Sequence, residues 1–297
     1  MTEEEWAAHR PAVFGVAYRL LGTVGDAEDV EQDVWLRAAS ADLTGVRDLR
    51  AWLVTVAARR AYDIARSARV RRESYVGPWL PEPLLTGADA AEPVLVDDSV
   101  STAMLLVMER LSPPERVALV LHDVFEVPFD RIAEVLGTTA AAGRQLASRA
   151  RRRVAAVREA PHAGRPERER VLAAFRAAYE AGDIDGLVAL LHPDAVYVTD
   201  GGGKVKAARK PITGGERVAA VLAGVARRLG LAATSPVEVG GEPASAVRRD
   251  GRLVAIDTFD IDGDGRIVAI NRVLNPDKLP RISNEEAVTP EPAVSSP

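Results

Sequence analysis

Apolar residues recur at helical spacing from Trp6 to about Ser74. Phe14, Ala17, Tyr18 and Leu21 share one face, followed by Val30, Val34 and Trp35, then by Trp52, Leu53, Val56 and Ala57. This three-to-four-residue repeat predicts amphipathic helices. It breaks at VGPWLPEPLLTGADAAEP, residues 76–93, where Pro78, Pro81, Pro83 and Pro93 forbid a regular helix and favour extended backbone. Trp79, Leu80, Leu84 and Leu85 are too apolar for a free tether, so this linker is expected to dock on a folded surface.

Helical signals resume near Val100 and sharpen at SPPE, residues 112–115. Ser112 is placed to cap, Pro113 to occupy the first helical position and Glu115 to complete a capping box. The helix PERVALVLHDVF gives way at Pro128 to a short one, FDRIAEVLG. Gly137 ends that helix, and Thr138 or Thr139 caps the basic helix beyond. Short helix, glycine turn and capped basic helix make the pattern of a helix-turn-helix. Gly143 weakens the second helix by about 1 kcal/mol relative to alanine.

After PHAGRPERE the pattern changes. Helices are expected over about 168–182 and 183–191, then a strand AVYVT, a loop DGGGK and the helix GERVAAVLAGVARRL. The remainder alternates as strands PASAVRR, RLVAIDTFDI and RIVAINRVL, with Asp250-Gly251 and Asp262-Gly263-Asp264-Gly265 as turns. Helices followed by a curled antiparallel sheet define an α+β domain. The expected fold is therefore multidomain: two all-α domains, the second a helix-turn-helix, and then a curved-sheet domain. The boundaries read 1–75, linker 76–98, 99–160, 166–280 and a disordered tail 281–297, whose low apolar content cannot support a core.

Composition narrows the chemistry. The 297 residues include no cysteine, which excludes disulfides, thiolate zinc sites and cysteine nucleophiles. MTEEEW lacks the apolar run of a secretory signal, and no stretch reaches the roughly 18 apolar residues of a membrane span. A cytoplasmic chain with no membrane partner is expected. The net charge of −5 conceals opposed blocks. DAEDVEQD, residues 26–33, is acidic and suits a cationic protein. RRAYDIARSARVRR, residues 59–72, and RQLASRARRRVAAVR, residues 144–158, are basic and suit nucleic-acid phosphates.

The two basic blocks differ in kind. The helix opened by Thr139 offers Arg144, Gln145, Ser148, Arg149, Arg151 and Arg152. Arginine can pair bidentately with guanine and glutamine with adenine, while further arginines neutralise phosphates. Around the earlier block, Trp52, Tyr62 and Tyr75 are interleaved with Arg59, Arg60, Arg66, Arg69, Arg71 and Arg72. Aromatic rings among guanidinium groups suit a strand with unstacked bases, although Trp52 also fits a core position.

No metal, cofactor or catalytic residue is expected. DIDGDGR has calcium-loop spacing at its start, but its twelfth position is Asn271 and strands flank it, so it reads as a hairpin turn. The four histidines lack ligand spacing, with His192 read as a cap on the preceding helix. DGGGK lacks the hydroxyl residue of a phosphate loop, and Pro211 interrupts the chain before the next helix. Its remaining use is close approach, because three residues without Cβ let another segment pack against them. The segment with most need to dock is WLPEP. Trp79, Leu80, Pro81, Glu82 and Pro83 are accordingly expected on a surface built from Asp200, Gly201, Gly202, Gly203 and Lys204 together with Asn275, Pro276, Asp277, Lys278 and Leu279, with Lys204 or Lys278 pairing with Glu82.

Together these segments resemble a known family. DAEDVEQDVWLR with AWLVTVAARRAYDIARSARVRRESY is similar to the core-binding and −10-recognition segments of extracytoplasmic-function (ECF) sigma factors. LSPPERVALVLHDVFEVPFDRIAEVLG with RQLASRARRRV is similar to their −35-binding domain, and WLPEP, DGGGK and NPDKL match the group with a fused SnoaL-like domain. The resemblance implies that Asp26, Glu28, Asp29, Gln32 and Asp33 meet core RNA polymerase. It also implies that Arg59, Arg60, Asp63, Arg66, Arg69, Arg71 and Arg72 face the opened −10 element of promoter DNA. The implied function is promoter-specific transcription initiation, with the SnoaL-like domain modulating activity in cis. A SnoaL-type isomerase or hydrolase fused to DNA-binding helices and a ligand-sensing helix-turn-helix repressor are the competing classes. Asp200 has no histidine or second carboxylate placed to form a catalytic pair, and a repressor needs neither the acidic patch nor the arginine–aromatic block. The free chain is expected to be a monomer, and the C-terminal domain leaves a place for a small ligand of unidentified chemistry.

Overall fold

Thr2 opens the first helix with a reciprocal cap: its hydroxyl accepts from the Glu5 N–H at 3.2 Å, and the Glu5 carboxylate accepts from the Thr2 N–H at 2.7 Å. The computed structural model describes residues 1–73, 75–86, 102–158, 163–229 and 233–279. The helix, α1 (Glu3–Leu21), stops at Gly22, whose φ of 74° is the left-handed conformation that glycine adopts without penalty. Two more helices follow, α2 (Val24–Ser40) and α3 (Leu49–Glu73). Residues 75–84 bend at Val76–Gly77 and lead without helix into a short strand, β1 (Leu85–Thr86).

The second helical region comprises α4 (Thr102–Glu109), α5 (Pro113–Leu119), α6 (Phe129–Leu136) and α7 (Ala140–Arg158). A π-helical turn over Val120–Val124 replaces the end of the single helix expected from PERVALVLHDVF. Ser112 and Glu115 form the expected cap at the start of α5. The two helical regions do not have separate cores. Val13, Val30, Leu53 and Ala61 belong to one buried cluster with Leu111, Val117, Ile132 and Val154. Arg116 reinforces this junction by donating from Nη1 to Leu20 O at 2.9 Å and to Glu109 at 2.6 Å.

The C-terminal domain begins with α8 (Arg165–Ala181) and α9 (Ile184–Leu190), then β2 (Leu191–Asp200), β3 (Ile212–Thr213) and α10 (Gly215–Leu229). Four strands complete it: β4 (Ala233–Val239), β5 (Glu242–Arg249), β6 (Arg252–Ile261) and β7 (Ile267–Val273). The sheet order is β1-β4-β5-β6-β7-β2-β3. The fold class agrees with the expectation, but the sheet is not wholly antiparallel, because β2 and β7 run parallel. A parallel pair requires a long crossover, here supplied by α10 and the intervening strands.

Three strands escaped the periodicity, the linker strand β1 among them. Strand β3 is too short to show alternation, and β4 contains Pro236, which reads as a breaker. Pro236 is tolerated because the outer neighbour β1 pairs with β4 only at Glu238 and Val239. The linker thus supplies the edge strand of the C-terminal sheet. Thr86 Oγ1 donates to Glu238 at 2.8 Å and accepts from Gly241 N at 3.0 Å, tying that edge down.

One face of the sheet is covered by helices, with Phe175, Tyr179, Leu222, Phe259 and Ile270 in its core. A second cluster gathers Val237, Val239, Ala246 and Ile256, with linker Leu85 and Leu279 packed against it. Arg272 and Asp257 form a bidentate pair of 2.6 and 2.7 Å, both buried, with Arg272 also donating to the Tyr179 hydroxyl. His192 does not cap α9, because its Nδ1 accepts from Asp194 N within β2. Asp262 likewise serves local backbone, accepting from Asp264 N and Arg266 N across the β6–β7 turn. Among the described residues no helix is long and apolar enough to cross a membrane.

Candidate functional site

The basic helix α7 is positioned by a turn that its sequence dictates. Gly137 takes a φ of 64° at the end of α6, and Thr139 Oγ1, rather than Thr138, accepts from Ala142 N at 3.2 Å. Gly143 is buried against Phe129 and Ile132, where an added Cβ would sit 3.5 and 3.8 Å from their side chains. Arg144, Gln145, Ser148, Arg149 and Arg152 are exposed and line one shallow depression. Arg151 is exposed too, but Asp123 holds it bidentately at 2.7 and 2.5 Å. Arg149 and Arg153 reach Glu115 at 3.4 and 2.5 Å. Burial alone would raise the Glu115 pKa; the Ser112 hydrogen bonds and these two cations outweigh it and hold the carboxyl below its ordinary range.

Helix α3 carries the earlier basic block. Arg59 donates from Nη2 to Glu134 O of α6 at 2.9 Å, and Arg60 pairs with Asp33 at 2.6 Å. Asp63 and Arg66 are exposed, with the Arg66 guanidinium 5.8 Å from the Tyr62 ring centre. The side chains of Arg69, Arg71 and Arg72 lie outside the described ones. Trp52 packs on the helical core. Nearby, Phe125 lies within 5.6 and 5.7 Å of the Arg19 and Arg50 guanidinium groups.

On α2 the acidic residues divide into two sets. Glu28, Asp29 and Gln32 are exposed, and Leu36 beyond them is 59% exposed. Asp29, Gln32 and Leu36 follow the spacing of one helical stripe. Asp26 instead accepts from the Thr23 hydroxyl at 2.6 Å, and Asp33 is held by Arg60. Asp33, one turn on from Asp29, thus has a cation supplied by the neighbouring α3.

The three short motifs meet at one junction. Asp200, wholly buried at the end of β2, accepts from Leu80 N at 2.9 Å, Gly202 N at 3.0 Å and the Tyr75 hydroxyl at 2.6 Å. Lys278 donates to Asp200 at 2.8 Å and to Leu80 O at 2.6 Å, with its ammonium 4.1 Å from the Trp79 ring centre and 5.1 Å from that of Tyr75. Asn275 donates to the Tyr75 hydroxyl at 3.0 Å. Burial and the adjacent Asp200 carboxylate push the Tyr75 phenol upward, so it stays protonated and donates.

The glycines fit this assembly for separate reasons. A Cβ on Gly201 would lie 2.7 Å from Val205 O and from the Ala207 Cβ, and one on Gly203 would lie 3.1 Å from Val76. Gly202 has a φ of 60°, and a Cβ there would collide with the Asn275 amide. Pro81 and Pro83 are buried with Leu80, whereas Pro276 and Asp277 are exposed and Leu279 packs below the sheet.

Of the two expected lysines, Lys278 acts on the Glu82 carboxylate through its charge. Lys278 binds Asp200 and Lys204 binds Asp277, while Glu82 turns toward the start of α2. Tyr75 was assigned to unstacked bases by its neighbouring arginines, and its role at the junction was missed. Its only sequence signal is that it closes the basic block just before the proline-rich segment.

A helix-turn-helix sharing its core with a second helical region, and tied by a docked linker to an α+β domain, defines the architecture of a promoter-recognition factor. Family models agree: residues 6–71 match Sigma-70 region 2, and residues 101–154 match Sigma-70, region 4. The chain is 43% identical to the ECF RNA polymerase sigma factor SigJ of Mycobacterium tuberculosis, over 94% of this chain and 93% of that one. It is 33% identical to the probable ECF RNA polymerase sigma factor SigI of the same species, over 92% and 93%. The crystal structure of M. tuberculosis SigJ superimposes with a TM-score of 0.75 at 40% identity, covering 93% of this chain and 98% of that chain. The chain belongs to the ECF RNA polymerase sigma factors, the proteins that direct promoter-specific transcription initiation.

Proposed function

We propose that this sigma factor meets core RNA polymerase through the exposed α2 residues Glu28, Asp29 and Gln32. In this reading α3 faces the opened −10 element, α7 reads the −35 element, and the C-terminal domain tunes initiation in cis through the linker junction. The observation that carries the last step is that Leu80 is held on both its N–H and its carbonyl by Asp200 and Lys278 of the C-terminal domain. The linker between the two DNA-facing regions is thereby fixed from outside both of them.

The helical regions are closed on one another, with Arg59 touching Glu134. Elements centred about 25 base pairs apart lie roughly 85 Å apart along DNA at ~3.4 Å per pair. Contacting both requires the shared core to open, and the linker has to accommodate the movement. A domain that grips the linker therefore biases the opening, as any contact made in only one of two states must.

Run-off transcription with core polymerase tests this reading, comparing the full chain, a chain ending after residue 160 and Trp79→Ala. The full chain is expected to initiate at a defined start, with Trp79→Ala changing the yield and not the start. A full chain that neither binds core nor initiates rejects the reading. Equal yields from all three proteins reject tuning in cis.

A further inference from the structure

The first turn of α2 lacks its own cap. Thr23 occupies the N-cap position with extended backbone, φ −132° and ψ 141°, yet its side chain makes no capping bond. Its hydroxyl donates to Asp26 instead. Free N–H groups at a helix start need an acceptor, and here the linker provides it. Glu82 Oε2 accepts from Val24 N at 2.8 Å, and the neighbouring Gly25 N–H also favours the charged carboxylate.

The carboxylate is held in place by its own backbone. Glu82 N donates to Gly22 O at 2.8 Å, and the Tyr18 hydroxyl donates to Glu82 O at 2.6 Å. The Trp79 ring lies over Gly22, where an added Cβ would be 2.7 Å from it. One pentapeptide therefore touches both partners: Trp79 and Leu80 contact Lys278 and Asp200, while Glu82, two residues on, caps α2. The half-buried carboxylate is pushed upward chiefly by desolvation, opposed by the two helix N–H groups and the Lys278 charge. A negative group at a helix start is also favoured by the helix dipole.

We propose that Glu82, from the distant linker, supplies the capping group of α2, and that it positions this helix for core polymerase. Docking of the linker on the C-terminal domain and ordering of the α2 first turn are then one equilibrium. Glu28 and Asp29, the exposed acids nearest that turn, are the residues whose presentation depends on it. This inference rests on the reading of α2 as the polymerase-facing helix.

The test uses the full chain and measures two things: amide exchange at Val24 and Gly25 in the free protein, and affinity for core polymerase. Glu82→Ala should speed exchange at both amides and weaken core binding roughly fivefold, the equivalent of losing a cap worth ~1 kcal/mol. Glu82→Gln keeps an acceptor oxygen and should fall between Glu82→Ala and the parent, which guards against a folding defect. Thr23→Asn in the Glu82→Ala background supplies a local cap and should slow exchange at Gly25 and recover core affinity. If Glu82 only anchors the linker, Thr23→Asn leaves core affinity as low as in Glu82→Ala, and the proposal fails. Unchanged exchange and unchanged affinity in Glu82→Ala also overturn it. A parent chain that does not bind core rejects the polymerase reading instead, while the exchange data still judge the cap.

Discussion

Asp200 and Lys278 form an ion pair 2.8 Å long whose side chains are 0% and 7% exposed, on the seam where the linker meets the C-terminal domain. Asp200 has three further donors, and Lys278 has a main-chain acceptor and an aromatic wall. Removing one partner of such a pair leaves a buried charge uncompensated, at about 3–5 kcal/mol. Lys278→Met is therefore expected to destabilise the chain by roughly that amount in urea unfolding. The double variant Asp200→Asn/Lys278→Met should lose less than the single one. A single-variant loss below ~1 kcal/mol would show that Lys278 does not neutralise Asp200 in solution.

Gly202 tests the same seam through the backbone. Its φ of 60° suits glycine, and a side chain there meets the Asn275 amide that bonds Tyr75. Gly202→Val should displace Asn275, cost ~1–3 kcal/mol for the strained backbone, and alter transcription in the same direction as Trp79→Ala. The contacts of this loop are with Val76, Asn275 and Asp277 and not with α7, so binding to −35 DNA alone should be unaffected. Transcription at the parent level from a folded Gly202→Val protein would remove the loop from the regulatory path.

Acid should loosen the linker strand. The Arg165 hydrogen bond, then that from Thr86, holds the Glu238 carboxyl below its ordinary value of 4.5, against a smaller opposing effect of burial. Because the folded pKa lies below the unfolded one, this contribution is fully present above pH 4.5 and fades as pH falls through the depressed value. The amide of Gly241, which donates to Thr86, reports the strand. Its protection factor should fall on acidification in the parent and lose that dependence in Glu238→Gln. An equal fall in both proteins would place the acid sensitivity elsewhere.

What the sequence revealed follows from where its signals are local. Ser112, Gly137 and Thr139 act within one helical turn of themselves, so the helix-turn-helix was legible to within a residue or two. The docking of WLPEP on DGGGK was readable because prolines preset one partner and absent Cβ atoms open the other. Pairings between distant segments were not readable. Glu82 accepts from the Val24 N–H and Asp33 from Arg60, because those pairings depend on tertiary position and not on spacing. The parallel β2–β7 pair and the proline-bearing strand β4 were hidden for the same reason, since neighbouring strands override local propensity.

The proposed DNA contacts can be divided by what the fold leaves available on α7. Arg144 and Gln145 are exposed near the start of the helix, where side chains of a recognition helix reach base edges. Substituting them should relax sequence preference at a cost of about 1–3 kcal/mol per good bidentate contact. Arg151 and Arg152 would share phosphate binding on sequence grounds, but Asp123 already occupies the Arg151 guanidinium with two hydrogen bonds. The phosphate role is therefore expected to fall mainly to Arg152. Arg152→Ala should weaken binding to every sequence and flatten the salt dependence by about one phosphate contact. Arg151→Ala should change the salt slope less, while freeing Asp123 and lowering the stability of the helix-turn-helix. Binding to −35 duplexes across a salt series, with matched and mismatched sites, separates these outcomes. Equal slopes for Arg151→Ala and Arg152→Ala would mean that DNA draws Arg151 away from Asp123, and that the intramolecular pair belongs only to the unbound protein.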